Sequence, residues 1–390
     1  MLEILIKIVC VVGVVLLMVA YMILAERKIA GWIQDRIGPN RAGPRGIIQP
    51  ICDGLKLLFK EDYTPDYVHK FLFIVSPCIM MGLALSAIAV IPFGGQIGEG
   101  ENAIHLQIAR VDIGILFVLA VSSLSVYGVF LGGWASNNKY SLLGGMRAAA
   151  QMLSYEVPLA LSILCIVMLS GTLRLEKIVD LQMKGCWNIF TQPFVFIIFL
   201  FCIFAETKRV PFDLAECEQE LVGGFHTEYS SMKFGLYFLG EYAHMIVACS
   251  MAVVLFFGGW QTLPFVNLFE SHTLGAAVMR ILIFLVKLWL FIAFYMWVRW
   301  TLPRFRFDQV MSLAWRAGVP LALSLLLLNA IIMHFYSPGS DGGYSFGYYF
   351  WQLFANIGVF VALIMIVGFS NPQLAAANKP ILIDKTEEAS

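Results

Sequence analysis

Charge is scarce in this chain. Only 13 % of its 390 residues are Asp, Glu, Lys or Arg, whereas a soluble domain carries about 25 %. Apolar residues make up 59 % of the chain, and its mean hydropathy is +0.80. Apolar runs of about 20 residues recur along the whole length and could cross a bilayer as helices. These proportions exclude an ordinary soluble protein and predict a polytopic membrane protein.

The motifs of nucleotide and metal sites are also missing. The sequence has neither GxGxxG nor GxxxxGK[ST], so no dinucleotide- or phosphate-binding loop is predicted. The eight cysteines form no CxxC pair, and five fall inside apolar runs: Cys10, Cys78, Cys165, Cys202 and Cys249. We interpret them as small core residues and expect no metal, zinc or iron–sulfur site on this chain. A net charge of zero gives no support for a nucleic-acid partner.

The apolar runs are continuous and do not alternate every second residue, so they predict helices and exclude strands. We predict an all-α transmembrane bundle of nine spans, at residues 2–25, 71–93, 113–134, 154–173, 188–208, 240–263, 280–302, 319–337 and 347–369. The fifth of these has a short apolar core. Residues 1–369 should form one domain, and the polar residues 370–390 a loose tail.

A further helix, at residues 46–61, is expected to lie along the membrane surface. Its apolar residues share one arc of a helix and its polar residues the other, with Leu57 as the exception. At about 16 residues it is too short to span a bilayer, and its polar face favours the interface.

Lys and Arg predict the orientation. The segments 26–70, 135–153, 206–239, 299–318 and 370–390, read as loops and a tail on one side, hold 19 of the 26 basic residues, and the alternate segments hold six. The positive-inside rule therefore predicts a periplasmic N-terminus and, with nine spans, a cytoplasmic C-terminus.

The stretch from Glu206 to Glu241 stands out because seven acids meet only three bases there. The acids are Glu206, Asp213, Glu216, Glu218, Glu220, Glu228 and Glu241. A solvated acidic loop is one interpretation. Three features favour a functional one: the acids alternate with aromatic and aliphatic residues that favour burial, two of them meet the apolar spans, and Glu156 lies inside a span.

A second constellation is the basic loop after the first span, which carries Arg27, Lys28, Arg36, Arg41 and Arg45 beside Trp32. These residues could hold anionic lipid headgroups, form a docking surface for a cytoplasmic partner, or frame the mouth of a cavity for an amphiphilic ligand. Composition alone favours lipid.

Two long segments give a specific resemblance. AERKIAGWIQDRIGPNRAGPRGIIQPICDGLKLLFKED (25–62) and AETKRVPFDLAECEQELVGGFHTEYSSMKFGLYFLGEY (205–242) resemble the signature segments of the H-subunit family of proton-translocating NADH:quinone oxidoreductase, respiratory complex I. PRFRFDQVMSLAWR (303–316) resembles the family's segment before its eighth span. The likeness covers about residues 1–336.

The resemblance implies a bacterial inner-membrane subunit that forms part of the quinone chamber and couples quinone reduction to proton translocation. It implies no redox cofactor on this chain, with FMN and iron–sulfur clusters in partner subunits and quinone as substrate. Expected partners are the peripheral-arm subunits at the quinone site, neighbouring small membrane subunits and lipids. The isolated chain should catalyse nothing.

The resemblance also assigns residues. Glu156, Glu206, Asp213, Glu216, Glu218, Glu220, Glu228 and Glu241 would form the proton path. Arg27, Trp32, Arg36, Arg41, Phe212 and Phe225 would contact quinone. The family core has eight spans, so the ninth predicted here is a departure that leaves the neighbours at that face open.

Two alternatives remain at this point. One is the homologous membrane subunit of a membrane-bound hydrogenase or formate hydrogenlyase. The other is an independent proton-coupled transporter, against which the lack of a detectable internal repeat counts.

Overall fold

The computed structural model describes residues 2–98, 104–214, 222–262, 273–335, 350–358 and 361. It is an all-α bundle, as predicted. Its helices are α1 (Leu2–Ile33), α2 (Gln49–Phe59), α3 (Lys70–Ile88), α4 (Gly114–Ala135), α5 (Lys139–Ser170), α6 (Leu175–Lys184), α7 (Asn188–Thr191), α8 (Pro193–Glu206), α9 (Ser231–Phe256), α10 (Leu274–Thr301), α11 (Phe307–Ser312) and α12 (Val319–Phe335).

Short elements join these helices. Pro44–Gly46 and Gly224–His226 are 3₁₀ turns, and a π-helical turn, Leu313–Gly318, joins α11 to α12. Within the described residues the only strands are β1 (Gln96–Ile97) and β2 (Ile104–His105), paired antiparallel with Gln96 opposite His105.

Seven helical segments of the described chain are long and apolar enough to cross a membrane, with the run Phe307–Phe335 counted as one. The fifth predicted span, 188–208, is divided into α7 and α8. With 14 residues, α8 is about 21 Å long, less than the ~30 Å hydrocarbon core. Of the ninth predicted span, 350–358 is helical and most of the remainder lies outside the described residues.

The predicted loops are too long. The sequence predicts loops at residues 139–153, 231–239 and 307–318, and all three segments are helical. The boundary of α5 shows why: Asn138 Oδ1 accepts a hydrogen bond from Tyr140 N at 3.0 Å and starts the helix there. Polar side chains in the first part of α5 form hydrogen bonds inside the bundle, so the helix includes residues that precede the apolar run.

Glycines allow this early part of α5 to pack closely. A Cβ on Gly144 would lie 2.7 Å from Gly224 Cα, and a Cβ on Gly133 of α4 would lie 2.7 Å from Ser141 O. Small residues that let backbones approach are typical of helix interfaces in membranes, where van der Waals contact takes the place of hydrophobic burial.

The centre of the bundle is α9. Every residue from Gly240 to Phe256 is buried, and α9 contacts α3, α1, α10, α6 and α8. An ionisable side chain on this half of α9 is therefore surrounded by protein.

The predicted surface helix is α2, and it covers Gln49–Phe59 of the predicted residues 46–61. Ile51, Leu55, Leu58 and Phe59 are all exposed, as expected of a face that meets lipid. Leu57, the exception in the pattern, is the residue that faces the bundle: its Cδ1 lies 3.2 Å from the position of a Cβ on Gly235 of α9. Ser231 Oγ donates to the Leu57 carbonyl at 2.9 Å.

Candidate functional site: a buried cluster of ionisable side chains

Three of the predicted proton-path residues, Glu216, Glu218 and Glu220, lie outside the described residues. The others separate into two groups. Glu156, Glu206 and Glu241 lie close to one another at the junction of α5, α8 and α9, and Asp213 lies on the segment that follows α8. Glu228 lies elsewhere, near the surface.

The segment 207–214 folds back against the bundle after α8 ends at Glu206. Gln151 of α5 holds it, since its Nε2 donates to the carbonyls of Ala205 and Phe212 at 2.8 Å each. Phe212 is fully buried against Tyr155 and Phe305. The turn therefore brings Lys208 and Arg209 inside the protein, where both are less than a tenth exposed.

Glu206 is paired with a histidine. His244 Nε2 lies 3.2 Å from Glu206 Oε1, and both residues are buried. His244 follows Glu241 by three positions on α9, which puts the two side chains on the same helix face.

Lys208 is the cation of Glu241. Its Nζ lies 3.7 Å from Glu241 Oε1, and the two side chains are 2 % and 4 % exposed. The same Nζ lies 4.8 Å from the centre of the Phe225 ring, a cation–π contact that lowers the cost of burying the ammonium. Phe225, predicted to contact quinone, is itself fully buried.

A further carboxylate, Glu26, joins the cluster from α1. It is 7 % exposed. It accepts a short hydrogen bond from the Tyr242 hydroxyl and forms an ion pair with Arg299. Arg209 lies 4.0 Å from the same carboxylate and 4.4 Å over the ring of Tyr242. Glu26, Glu206 and Glu241 each lie within 4.0 Å of a basic side chain, which offsets part of the cost of burying their charges.

Asp213 lies at the edge of this region. Burial raises the pKa of its carboxyl, and the guanidinium of Arg304, whose Nη2 lies 3.1 Å from Asp213 Oδ2, acts in the opposite direction. Its Oδ1 is buried without a hydrogen-bond partner in the described chain. The neutral form of Asp213 is therefore more accessible than that of an exposed aspartate.

Glu156 lies inside α5, with its Oε1 buried and without a hydrogen-bond partner among the described residues. It interacts electrostatically with both Glu206 and His244. The structure thus brings this intramembrane carboxylate to the same place as two members of the acidic stretch.

Two small cavities meet at the Glu206–His244 pair. The first cavity, about 10 Å³, is also lined by Lys208, Glu241 and Ser125. The second cavity, about 30 Å³, is lined by Ser122 and otherwise mostly by aliphatic side chains. The first volume is at the lower limit for one water molecule and the second suits one or two, and Glu206 and His244 line both cavities.

Glu228 is separate from this cluster. It accepts hydrogen bonds from the Tyr67 hydroxyl at 2.9 Å and from Asn138 Nδ2 at 2.6 Å. The hydrogen bond to Glu228 raises the pKa of Tyr67. Tyr67 is on the surface, so Glu228 lies at a water-accessible edge.

The basic loop does not reach the cluster either. Arg27 Nη1 forms an ion pair with Asp53 Oδ2 at 2.6 Å, and so ties α1 to α2. Arg36 Nε donates to Gln34 Oε1 at 2.7 Å, and Trp32 is 75 % exposed. Arg41 is exposed as well. The loop and α2 together form a basic and apolar surface beside the end of α1.

An apolar cleft of about 350 Å³ opens between α1, α9 and α10 at residues including Val11, Met18, Ile246 and Phe284. None of the basic-loop residues lines it. It is therefore a feature distinct from the predicted quinone contacts.

The sequence patterns missed the partners of the acids. Lys208, Arg209, Glu26 and His244 are not among the predicted site residues. One signal was available: Glu241 and His244 stand three residues apart in an apolar helix. The contacts of Glu26, by contrast, join residues more than 180 positions apart, which no local spacing reveals.

Comparison of the sequence with known protein families agrees with this architecture. The model of the NADH dehydrogenase family matches residues 6–330. The chain belongs to the H-subunit family of NADH-quinone oxidoreductase. Two proteins named as an NADH-quinone oxidoreductase H-subunit are similar to this chain. The one from Flavobacterium psychrophilum is 49 % identical over 84 % of this chain and 95 % of its own length. The one from Leptospira biflexa is 49 % identical over 86 % of this chain and 96 % of its own length.

A relative from Geobacter sulfurreducens, also named as an NADH-quinone oxidoreductase H-subunit, is 48 % identical over 84 % of this chain and 96 % of its own length. Membership of the H-subunit family confirms the prediction of an enzyme subunit in a multi-pass inner-membrane setting. These names favour the quinone enzyme over the hydrogenase and transporter alternatives. The family match ends before residues 350–358.

Proposed function

We propose that this chain forms part of the quinone chamber of NADH:quinone oxidoreductase and couples quinone reduction to proton translocation through its buried carboxylates. Glu156, Glu206, Asp213 and Glu241 are the described members of this path. Glu216, Glu218 and Glu220 belong to it by the family resemblance, and Glu228 forms its end at the water-accessible edge.

The observation that carries the proposal is the continuity of ionisable groups through the bundle. Glu241, Lys208, Glu206 and His244 line one cavity, and Glu206 and His244 continue into the next, beside Glu156. Each of these buried acids has a cation, a histidine or a donor nearby, which offsets the cost of holding its charge in the low-dielectric interior. Protonation of one acid changes the charge balance at its partner, so proton movement is coupled to the arrangement of the neighbouring groups.

The magnitudes fit the task. Burial and charged neighbours can change a carboxyl pKa by about 3 units, which corresponds to about 4 kcal/mol. Moving one proton against about 180 mV costs a similar amount, about 4 kcal/mol. A rearrangement of the segment 207–214 that altered the partners of these acids could therefore supply a step of the required size.

The quinone-facing surface would be formed by the end of α1, the basic loop and α2, with Arg27, Trp32, Arg36 and Arg41 near the entrance. Exposed Trp32 and Phe59 provide apolar contact beside the arginines. Phe212 and Phe225 are fully buried, so their contact with quinone requires the segments that carry them, 207–214 and 224–226, to move.

The surrounding assembly follows from the same proposal. FMN and iron–sulfur clusters reside in partner subunits, this chain holds none, and electrons reach quinone at the boundary with the peripheral arm. The N-terminus lies on the periplasmic side, so the basic loop faces the arm.

The carboxylate path is tested by Glu206→Gln in the assembled complex, with Asp66→Asn, which removes an exposed carboxylate, as control. We expect at least about a 10-fold loss of NADH-driven quinone reduction and of proton pumping together, because a lost proton-transfer group commonly costs ~10² or more. Normal assembly is checked by co-purification of the peripheral subunits. Wild-type turnover and pumping in Glu206→Gln would contradict the proposal.

The quinone surface is tested separately by Arg36→Ala. The KM for short-chain quinones should rise while membrane insertion stays normal. An unchanged KM would favour lipid binding or docking at the basic loop.

A further inference from the structure

His244 occupies a position that the carboxylate path alone does not explain. It lies on the buried half of α9, with its Nε2 3.2 Å from Glu206 Oε1. An amide or hydroxyl side chain could make a similar hydrogen bond to a carboxylate. Imidazole differs from these groups because it can take up a proton at one nitrogen and release one from the other.

His244 borders two cavities that are potential sources of protons. It lines the first cavity together with Glu241 and Lys208, and lines the second together with Ser122. Glu206 and His244 are the residues that line both cavities. The second cavity has room for one or two water molecules, and the first is at the lower limit for one.

Glu156 is placed beside this wall. Met152 of α5 lines the first cavity and Leu159 lines the second. Glu156 is four residues after the former and three before the latter, so it lies on the same helix face between the two cavities. Its Oε1 has no hydrogen-bond partner in the described chain, which leaves this oxygen free to take part in proton exchange.

We propose that His244 relays protons between the two cavities, by exchanging a proton with Glu206 at Nε2 and with cavity water at Nδ1. This proposal rests on the proposed function, in which Glu206 and Glu156 carry protons. In one transfer the Nε2–H bond breaks as an O–H bond forms on Glu206, while Nδ1 binds a proton from cavity water, and that water takes a proton in turn from protonated Glu156. Glu206 then releases its proton, a ring rotation or tautomer change resets the imidazole, and no net charge accumulates on it.

The groups that face the ring set the direction of transfer. Glu206 on α8 and Glu156 on α5 attract a proton to it, and Lys208 on the segment after α8 opposes protonation from the side of the first cavity. Glu241, on the same helix face as His244, is paired with Lys208. A change in the Lys208–Glu241 distance would therefore change the charge that His244 meets.

The test uses the assembled complex with His244→Gln, His244→Ala and the exposed control His334→Gln. Gln preserves a hydrogen bond to Glu206 but cannot pass a proton. We expect His244→Gln to assemble normally, to lose at least about 10-fold in quinone reduction and pumping, and to show a larger solvent deuterium isotope effect. His334→Gln should match the wild type.

His244→Ala provides the second measurement. Its larger cavity should admit imidazole, which should restore part of the turnover, whereas pyrazole has a similar shape but is too weak a base to carry the proton. Equal rescue by both compounds, or wild-type turnover with an unchanged isotope effect in His244→Gln, would overturn the relay. If Glu206→Gln is inactive while His244→Gln is fully active, the carboxylate path stands and only the relay fails.

Discussion

Arg299 of α10 forms an ion pair with Glu26 of α1, and so joins the first long helix of the bundle to one near its end. Glu26 also accepts a hydrogen bond from Tyr242 of α9. A single carboxylate therefore connects three helices at the edge of the ionisable cluster. Its removal or exposure should affect the whole bundle.

Arg299→Met is expected to destabilise the complex by about 1–3 kcal/mol, because it takes away the nearest cation of a buried carboxylate. The loss stays moderate since Arg209 lies 4.0 Å from Glu26. Thermal unfolding of the purified complex measures it. The double variant Arg299→Met with Glu26→Gln should recover part of the loss, and an additive result would show that the two side chains do not interact.

Asp213→Asn should stabilise the complex increasingly as pH rises above about 4, the ordinary range of an aspartate, until the raised pKa of Asp213 is passed. Burial raises the pKa of Asp213, so the folded protein binds this proton more tightly than the unfolded chain does. Deprotonation above the raised pKa then costs folding free energy, which Asn avoids. The measurement is the midpoint of thermal unfolding across this pH range. Asp308→Asn, at a carboxyl 73 % exposed, is the control, and a parallel pH response in both variants would refute the prediction.

Glu228→Gln should reduce pumping much less than Glu206→Gln does. Glu228 bonds to exposed Tyr67 and half-buried Asn138, and bulk water can replace a proton carrier at such an edge. Pumping per NADH in proteoliposomes provides the comparison. Equal losses in the two variants would mean that Glu228 is an obligatory step.

Lys287→Met is expected to cost at least about 2 kcal/mol of stability. Lys287 Nζ donates to the carbonyls of Phe257, Gly259 and Gln261 at 2.6, 3.1 and 2.6 Å, and those acceptors follow the end of α9. Removing the donor leaves buried carbonyls unsatisfied. Lys184→Met on the exposed side of α6 is the control, and a similar unfolding midpoint in both would contradict the assignment.

Single and double substitutions should differ in their effect on stability at Gln352, which lies in the ninth predicted span. Gln352 Nε2 donates to Asn329 Oδ1, and both residues are buried. Gln352→Leu alone leaves a buried amide without its partner and should destabilise by about 1–3 kcal/mol, whereas Gln352→Leu with Asn329→Leu should be less costly. Protease resistance of the membrane-embedded complex is a suitable readout, and equal sensitivity of both variants would argue against the contact.

Apolar runs were sufficient to predict the helices and the all-α class, and periodicity predicted α2. The boundaries were less accurate, since residues such as Gln151 and Ser141 are polar yet lie inside the bundle with partners on other elements. The local sequence shows that a residue is polar but not which group it will bond, so the pattern predicts loop where the structure has helix.

The sequence predicted the acids of the candidate site but not their partners. The acids were found because carboxylates are rare in an apolar chain, and Glu156 was singled out for the same reason. Their partners were not, because Arg299 and Glu26 are 273 positions apart and Lys208 turns inward only when Gln151 holds the segment 207–214. Charge compensation depends on tertiary contacts, and a one-dimensional pattern does not contain it.

Both ends of α9 are tied to neighbouring elements. The end near Phe256 is held by Lys287, whose three hydrogen bonds draw α10 and the chain after α9 together. The other end is held by Ser231, whose Oγ donates to the Leu57 carbonyl, and by Lys233, whose Nζ lies 3.1 Å from Asp62 Oδ2. Glu241, Tyr242 and His244 lie between these ends and contact groups that can gain or lose protons. A change of protonation should therefore act on the middle of the helix while both of its ends stay held.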